Sequence, residues 1–452
     1  MSKRLDTHPS VIAYMQDKTP PMAAAAPLKA ADIRALCLAH GADDAGFVPI
    51  DHPALAPQRG DIMRIFPEAR TAISFVVRMN REAVRSVERS NANLEFHQSY
   101  DELNATSRDI VRAFENQNIP ALNASAGFPM EVQRFPGKTW TVAHKPIAEA
   151  AGMGRMGLHR NVIHPKFGSF IVLGTILISQ DIDKYTQEVD FNPCLECKLC
   201  VAACPVDAIG PDWTFNFSAC FTHNYREFLG GFDDWVRTLA DSENADDYAA
   251  RVSQGETVSM WQSLSFKPGY KAAYCVAVCP AGEDVIGPFL DNQKDFRRKV
   301  MGPLTSVAET VYVLTESDAQ SSVTKRFPSK KVSAVDWTIR AGEPYSFLFG
   351  LTLTFQRRKA KNLQVAIHLT ITDYPGLDAA IHISNQQITV DLGAPKTSDA
   401  HLALDWPTLQ KLFDSSQPVN TFIASGSVTL EGNATLVEQM RACFPVYKAE
   451  RK

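Results

Sequence analysis

No run of about 18 consecutive apolar residues, the length a membrane-crossing helix requires, occurs in the 452-residue sequence. The nearest approach, Phe170 to Ile178, is half that length and reads as a buried strand. A strong charge of either sign is missing too. The 46 basic and 50 acidic residues leave a formal net charge of −4, which argues against a nucleic-acid partner or a polybasic membrane-surface binder. The opening stretch MSKRLDTHPSVIAYMQDKTPPMAAAAPLKA lacks the apolar core of a secretory signal and a twin-arginine pair, so the expected location is cytoplasmic. There is no internal repeat.

What is present has the composition of a soluble globular protein, 45% hydrophobic and 21% charged. At roughly 150 residues per domain the length implies two to four units, and the expected class is multidomain α+β. Residues 1–27, rich in Pro and Ala, read as a loosely packed arm. From 28 to 185 helix and strand patterns mix: a helix at Ala30–His40, a strand at Thr71–Met79, a long helix at Asn93–Asn116 and a strand at Gly168–Ser179, together one α/β domain. Residues 186–304 carry the cysteine motifs, with loops expected to dominate and a charged insertion at about 233–255 lying outside their core. Residues 305–452 turn to β-alternation at Leu363–Thr372, Ala379–Ile383 and Ile388–Leu392, closing on an amphipathic stretch Ala434–Phe444; this predicts a sheet with few helices.

Seven of the nine cysteines fall between 194 and 279. In a chain expected to be cytosolic, such clustering points to metal rather than disulfides. Cys194-x2-Cys197-x2-Cys200-x3-Cys204-Pro205 is the spacing of bacterial two-cluster ferredoxins, in which three thiolates hold one iron–sulfur cluster and the fourth reaches the neighbouring one. Cys275-x3-Cys279-Pro280 repeats the end of that pattern. By the crossed-ligand rule Cys194, Cys197, Cys200 and Cys279 hold the first cluster, and Cys204, Cys220 and Cys275 the second. The eighth position of a full motif is Ala272, so the second cluster is expected to be three-iron, to take a non-thiolate ligand, or to be labile. A zinc site is the alternative reading of Cys-x2-Cys. Cys37 and Cys443 stand alone and read as small buried hydrophobes.

Gly152-Met153-Gly154-Arg155-Met156-Gly157 fits the dinucleotide fingerprint by letter but not by context, since the preceding Lys145–Ala151 is helical in pattern and no strand with an acidic end follows. The glycines read instead as positions for a tight turn or for close approach to a bulky cofactor.

The order of these pieces resembles the epoxyqueuosine reductase and reductive dehalogenase families over about residues 28–300. It runs from Ala151-Gly152 through Gly157, to Pro165-Lys166-Phe167-Gly168, an apolar strand and the cysteine run, with Phe66-Pro67-Glu68-Ala69-Arg70 entering the early strand. The resemblance implies a nitroreductase-like α/β domain holding a cobalamin, and a two-cluster ferredoxin domain feeding it electrons; the Asp-x-His-x-x-Gly signature of His-on cobalamin domains is absent, consistent with a base-off corrinoid. It implies corrinoid contacts from Gly152, Gly154, Arg155, Gly157, His159 and Gly168, with Arg160 and His164 as further candidates. The tyrosine or aspartate proton donors of those families have no counterpart here; at the comparable place stand His144 and Lys145, and His144 is the candidate donor because a histidine can give a proton near neutral pH, a surface histidine being the alternative reading. About residues 308–446 resemble the sterol-carrier-protein type 2 domain, through Asp405-Trp406-Pro407 opening a helix and Gly426-Ser427-Val428-Thr429-Leu430-Glu431-Gly432-Asn433 before the last one. That family binds lipids between sheet and helices; a lid or dimerisation unit is the alternative.

The function expected from these features is corrinoid-dependent reduction of an apolar small molecule or lipid, with a reduced ferredoxin or flavodoxin-type protein as electron donor. Two alternatives stay open: a non-catalytic ferredoxin-type electron carrier with a lipid-binding domain, and a lipid binder regulated by its clusters.

Overall fold

The computed structural model describes residues 7–16, 26–135, 137–194 and 196–445. Of the expected arm, 1–6 and 17–25 lie outside the described residues, and Pro9–Gln16 is a helix that buries nothing. Six strands fall before residue 180: β1 (Asp44–Pro49), β2 (Thr71–Arg78), β3 (Ala121–Asn123), β4 (Arg155–Met156), β5 (Val162–Ile163) and β6 (Ile171–Ile178). Four of them make an antiparallel sheet in the order β1-β2-β6-β3, and β4 and β5 form a short hairpin.

The two central strands are apolar on both sides because both faces are covered. Ile73, Phe75 and Val77 meet Leu103, Ile110 and Phe114 of the Arg89–Glu115 helix. Ala72 and Val76 face the other way, toward Ile147 and Ala148 of the His144–Ala150 helix. Period-2 alternation thus feeds two separate cores, each large side chain contributing about 1.5–3 kcal/mol by burial. The helix expected at Ala30–His40 spans Ala30–Ala39, and the other early elements also match their expected positions within a few residues.

Beyond the cysteine run the expectation of loops is corrected. Helices occupy Phe217–Asn224, Leu229–Ala240, Ala245–Arg251 and Gln254–Ser265. The charges that suggested a solvated insertion are helix pairs one turn apart, Asp233 with Arg237 and Asp247 with Arg251. Asp234 and Glu256 instead bind the buried Arg226.

Strands β7 (Thr310–Leu314) and β8 (Lys331–Val335) pair in parallel around the Asp318–Arg326 helix. Val311, Val313 and Val323 join the first core, so the separate C-terminal core begins near Leu348 rather than at 305. That core lies on a five-stranded sheet, order β11-β10-β9-β12-β13, built from β9 (Val365–Ile371), β10 (Asp378–Ser384), β11 (Gln387–Leu392), β12 (Ala400–Leu404) and β13 (Thr429–Gly432). Its inner positions Val365, Ile367, Leu369 and Ile371 pack beneath helices Pro344–Thr354, Trp406–Asp414 and Ala434–Arg441, more helix than the β-rich sequence texture suggested. Asp207 pairs with both Arg326 and Arg358, Arg357 with Asp212 at 3.0 Å, and Gln356 Nε2 donates to Ser218 Oγ at 2.8 Å. These contacts clamp the C-terminal unit onto the cysteine segment. No helix among the described residues is long and apolar enough to cross a membrane.

Candidate functional site

The cysteine run folds as tight left-handed turns at Glu196 (φ 50°) and Lys198 (φ 52°) leading into the short helix Leu199–Ala203. Backbone bonds from Cys197 N to Cys194 O (3.2 Å) and Cys204 N to Cys200 O (3.1 Å) hold successive thiols on one side. Cys279, from the turn after the Tyr274–Ala277 helix, completes a gap lined by Cys194, Cys197 and Cys200. Sequence-distant sulfurs therefore meet.

Cys204, Cys220 and Cys275 lie near one another, and Cys275 also lies near Cys200 and Cys279 of the first group. Burial pushes the Cys275 thiol up to about 12 and Cys279 to about 11. A cationic metal core is what would draw off such protons. Backbone N–H groups already point at two sulfurs, Leu158 at Cys194 Sγ (3.2 Å) and Ala208 at Cys204 Sγ (3.3 Å). Ala272 is 7% exposed, with its N–H on Asn224 Oδ1 at 3.0 Å. Among the described residues no three His, Cys, Asp or Glu side chains converge closely enough for a single metal ion. All nine cysteines are free, and Cys37 and Cys443 are fully buried.

Beside the second group lies a cavity of about 1130 Å³ with three walls. The α/β unit supplies Tyr100, His144 and Lys145, the cysteine segment Tyr225 and Tyr270, and the C-terminal unit Phe347, Trp406 and Phe413. Tyr225, Phe228 and Tyr270 pack edge-on or tilted, with ring centroids 5.2–5.7 Å apart. Burial raises the phenols of Tyr100, Tyr225 and Tyr270, which keeps them protonated, and their hydroxyls bond no described residue. They are hydrogen-bond donors awaiting an acceptor.

His144 lines this cavity, but its ring is committed. The Ser125 carbonyl, 2.9 Å from Nε2, can only accept, so Nε2 carries the proton; Nδ1 then accepts from the Thr175 hydroxyl at 2.8 Å. Burial lowers its pKa. Lys145 Nζ donates to Arg160 O (2.5 Å) and Asn161 Oδ1 (3.2 Å). Burial lowers its pKa as well, while nearby Cys275 and Cys220 oppose the shift; Lys145 thus lines the cavity on the side near these two thiols.

Protein atoms crowd the Cβ position of each of the four glycines. A Cβ on Gly152 would lie 2.5 Å from Gln187 O, on Gly154 2.2 Å from Ile163 O, on Gly157 2.6 Å from Ile163 Cδ1 and on Gly168 2.0 Å from Ala281 O. None of them lines the large cavity. Their role is to fold the β4–β5 hairpin and the Pro165–Ser169 turn tightly against the cysteine loops. Arg155 pairs with Glu188 (3.0 Å), Arg160 Nη2 donates to Trp213 O (3.2 Å), and His164 meets Asp44 (3.2 Å), all away from the cavity. His159 turns into the Cys194–Cys279 gap. The aromatic wall was missed, although Phe217, Phe221 and Tyr225 recur every four residues; they stack in the structure at 5.6 Å.

No protein-family model matches the chain. The epoxyqueuosine reductase of Prochlorococcus marinus (strain NATL2A) is 26% identical over 179 residues, 38% of this chain and 52% of that protein. A solved reductive dehalogenase, described as B12-dependent, superposes with a TM-score of 0.38 at 13% identity, covering 64% of this chain and 39% of that one. A UbiJ-SCP2 ubiquinone synthesis protein superposes with a TM-score of 0.17 at 19% identity, over 21% of this chain and 73% of that one. The chain is thus similar in sequence to the epoxyqueuosine reductases, spanning about half the length of that relative.

Proposed function

We propose that the chain is an iron–sulfur and cobalamin-dependent oxidoreductase that reduces an apolar small molecule, with a nitroreductase-like α/β unit, a two-cluster ferredoxin-type segment and a sterol-carrier-like unit. The observation that carries this is one large cavity whose wall includes Lys145, near Cys220 and Cys275, and Phe221 and Val276, their neighbours in sequence. The donor set fits two clusters: Cys194, Cys197, Cys200 and Cys279 for one, and Cys204, Cys220 and Cys275 for the other, whose fourth position at Ala272 offers no thiolate.

When bound, the clusters supply single electrons and the corrinoid a reducible cobalt. The cavity supports a ligand of that size, since its volume exceeds the roughly 300–1,000 Å³ of ordinary small-molecule sites. Phe347, Trp406 and Phe413 make its C-terminal wall apolar and exclude water from the end where an apolar substrate would sit. Tyr100, Tyr225 and Tyr270 hold protons on otherwise unbonded hydroxyls and are better placed to donate one than His144, whose Nε2–H is held by Ser125. His144 then orients the wall through Thr175, and Lys145 adds positive charge beside the second thiol group. A reduced ferredoxin or flavodoxin-type protein is the proposed donor.

The non-catalytic electron-carrier reading is favoured by one observation, the missing thiolate at Ala272. Anaerobic protein reconstituted with cobalamin and passed through gel filtration separates the two. Retained corrin absorbance is expected here, whereas loss of corrin with iron and sulfide retained leaves only electron transfer.

A further inference from the structure

The β4–β5 hairpin ends in a loop whose side chains the proposed reaction does not use. Its geometry is tightly specified: Gly157 N donates to Asn161 O, Arg160 N to Gly157 O, both at 2.9 Å, and Arg160 sits at φ 61°. Two features of this loop face the first cysteine group. Leu158 N–H donates to Cys194 Sγ at 3.2 Å. His159, 4% exposed, lines the gap bounded by Cys194, Cys197, Cys200 and Cys279.

The tautomer of His159 follows from its neighbour. Asn161 N–H donates to His159 Nδ1 at 3.2 Å, so Nδ1 is the acceptor and the neutral ring carries its proton on Nε2. That Nε2 is buried and bonds no described residue. Natural interiors seldom leave such a donor without a partner unless a bound group or water satisfies it. The groups around the gap are sulfurs, leucine and isoleucine side chains, prolines, an alanine and the Lys198 stem, and none of the other side chains offers a nitrogen or oxygen acceptor.

We infer that His159 donates an Nε2–H hydrogen bond to a sulfur of the cluster held by Cys194, Cys197, Cys200 and Cys279, and thereby raises that cluster's reduction potential. This rests on the cluster reading above. A neutral N–H aimed at a cluster sulfur stabilises the reduced form, which carries the extra negative charge, and hydrogen bonds to sulfur are among the levers that set such potentials. Gly157 sits against the same ring, since a Cβ there would press on Ile163 Cδ1 at 2.6 Å and touch His159 Cε1 at 3.4 Å, an ordinary contact. His159 is a positioning and tuning residue, acting on electron entry and not on substrate.

The test is an EPR-monitored redox titration of the anaerobic holoprotein as wild type, His159→Leu and His159→Gln. In His159→Leu one cluster's midpoint should move to lower potential while the other stays, with iron and sulfide content unchanged. His159→Gln, which keeps an N–H donor, should recover part of the shift. Unmoved potentials with both clusters intact would overturn the inference while leaving the cluster reading standing; a preparation that binds no iron and sulfide overturns the cluster reading itself. Should His159→Leu fail to fold, pulsed EPR of the wild type decides: a weak nitrogen coupling with an exchangeable proton is expected, and a strong coupling from a directly ligated imidazole, or none, contradicts it.

Discussion

Arg226 Nη1 lies 2.8 Å from Asp234 Oδ2, with the two side chains 6% and 9% exposed, and Arg226 Nη2 reaches Glu256 Oε1 at 2.7 Å. The guanidinium also covers the Tyr312 ring at 4.6 Å, so one residue ties the helices after the cysteine run to strand β7. Removing one member of a buried ion group leaves charge without compensation. Arg226→Ala should therefore destabilise by about 3–5 kcal/mol, read as a lowered urea midpoint. Replacing Arg226, Asp234 and Glu256 together by apolar residues of similar volume should cost far less.

His223 is buried within the Phe217–Asn224 helix, its Nδ1 accepting from Tyr312 N at 3.3 Å. Burial, with Lys271 and Lys330 nearby, lowers its pKa to about 3. A histidine depressed in the fold binds its proton more readily when unfolded. Its stability contribution is whole above the unfolded value of about 6.5 and is lost as pH falls toward 3, by at most about 1.4 kcal/mol per pH unit. The melting temperature should fall between pH 6.5 and 4, and His223→Phe should flatten that slope even if it lowers stability at pH 7.

Ala272 occupies the place of an eighth cysteine and is 7% exposed. Ala272→Cys should add a fourth thiolate to Cys204, Cys220 and Cys275. The expected result is a second cluster that keeps its iron longer in air, followed by EPR and iron assay; no change would mean that another group already fills that position.

Tyr225 lines the cavity and its hydroxyl bonds no described residue, whereas His144 gives its Nε2–H to Ser125. Tyr225→Phe should leave corrin binding intact and slow turnover at least tenfold, the lower end of general acid catalysis being about 10². His144→Ala should alter corrin affinity, measured by absorbance titration, more than the chemical step.

Much of this was legible in the sequence, and the boundary between what was and was not is physical. The meeting of Cys194, Cys197 and Cys200 with the distant Cys279 around one gap was anticipated from residue type and spacing together. Central strands β2 and β6 were readable because burial on two faces forces apolar runs. The glycines were ambiguous in the sequence, since a missing Cβ says only that something comes close, and the atoms nearest their Cβ positions are those of Gln187, Ile163 and Ala281. The helices at 229–265 were hidden because their charges, paired one turn apart or buried on Arg226, look like a solvated loop in composition. The cavity could not be read at all: its walls come from residues as distant as Tyr100, Tyr225 and Phe413, brought together by tertiary packing.

The most direct measurement is iron, acid-labile sulfide, zinc and cobalt per chain in anaerobic protein reconstituted with cobalamin, for the wild type and for Cys194→Ser and Cys204→Ser. Two clusters' worth of iron and sulfide with bound cobalt are expected in the wild type, and each variant should lose the share of one cluster. Stoichiometric zinc without sulfide, or iron loss unrelated to these two thiols, would contradict the two-cluster assignment.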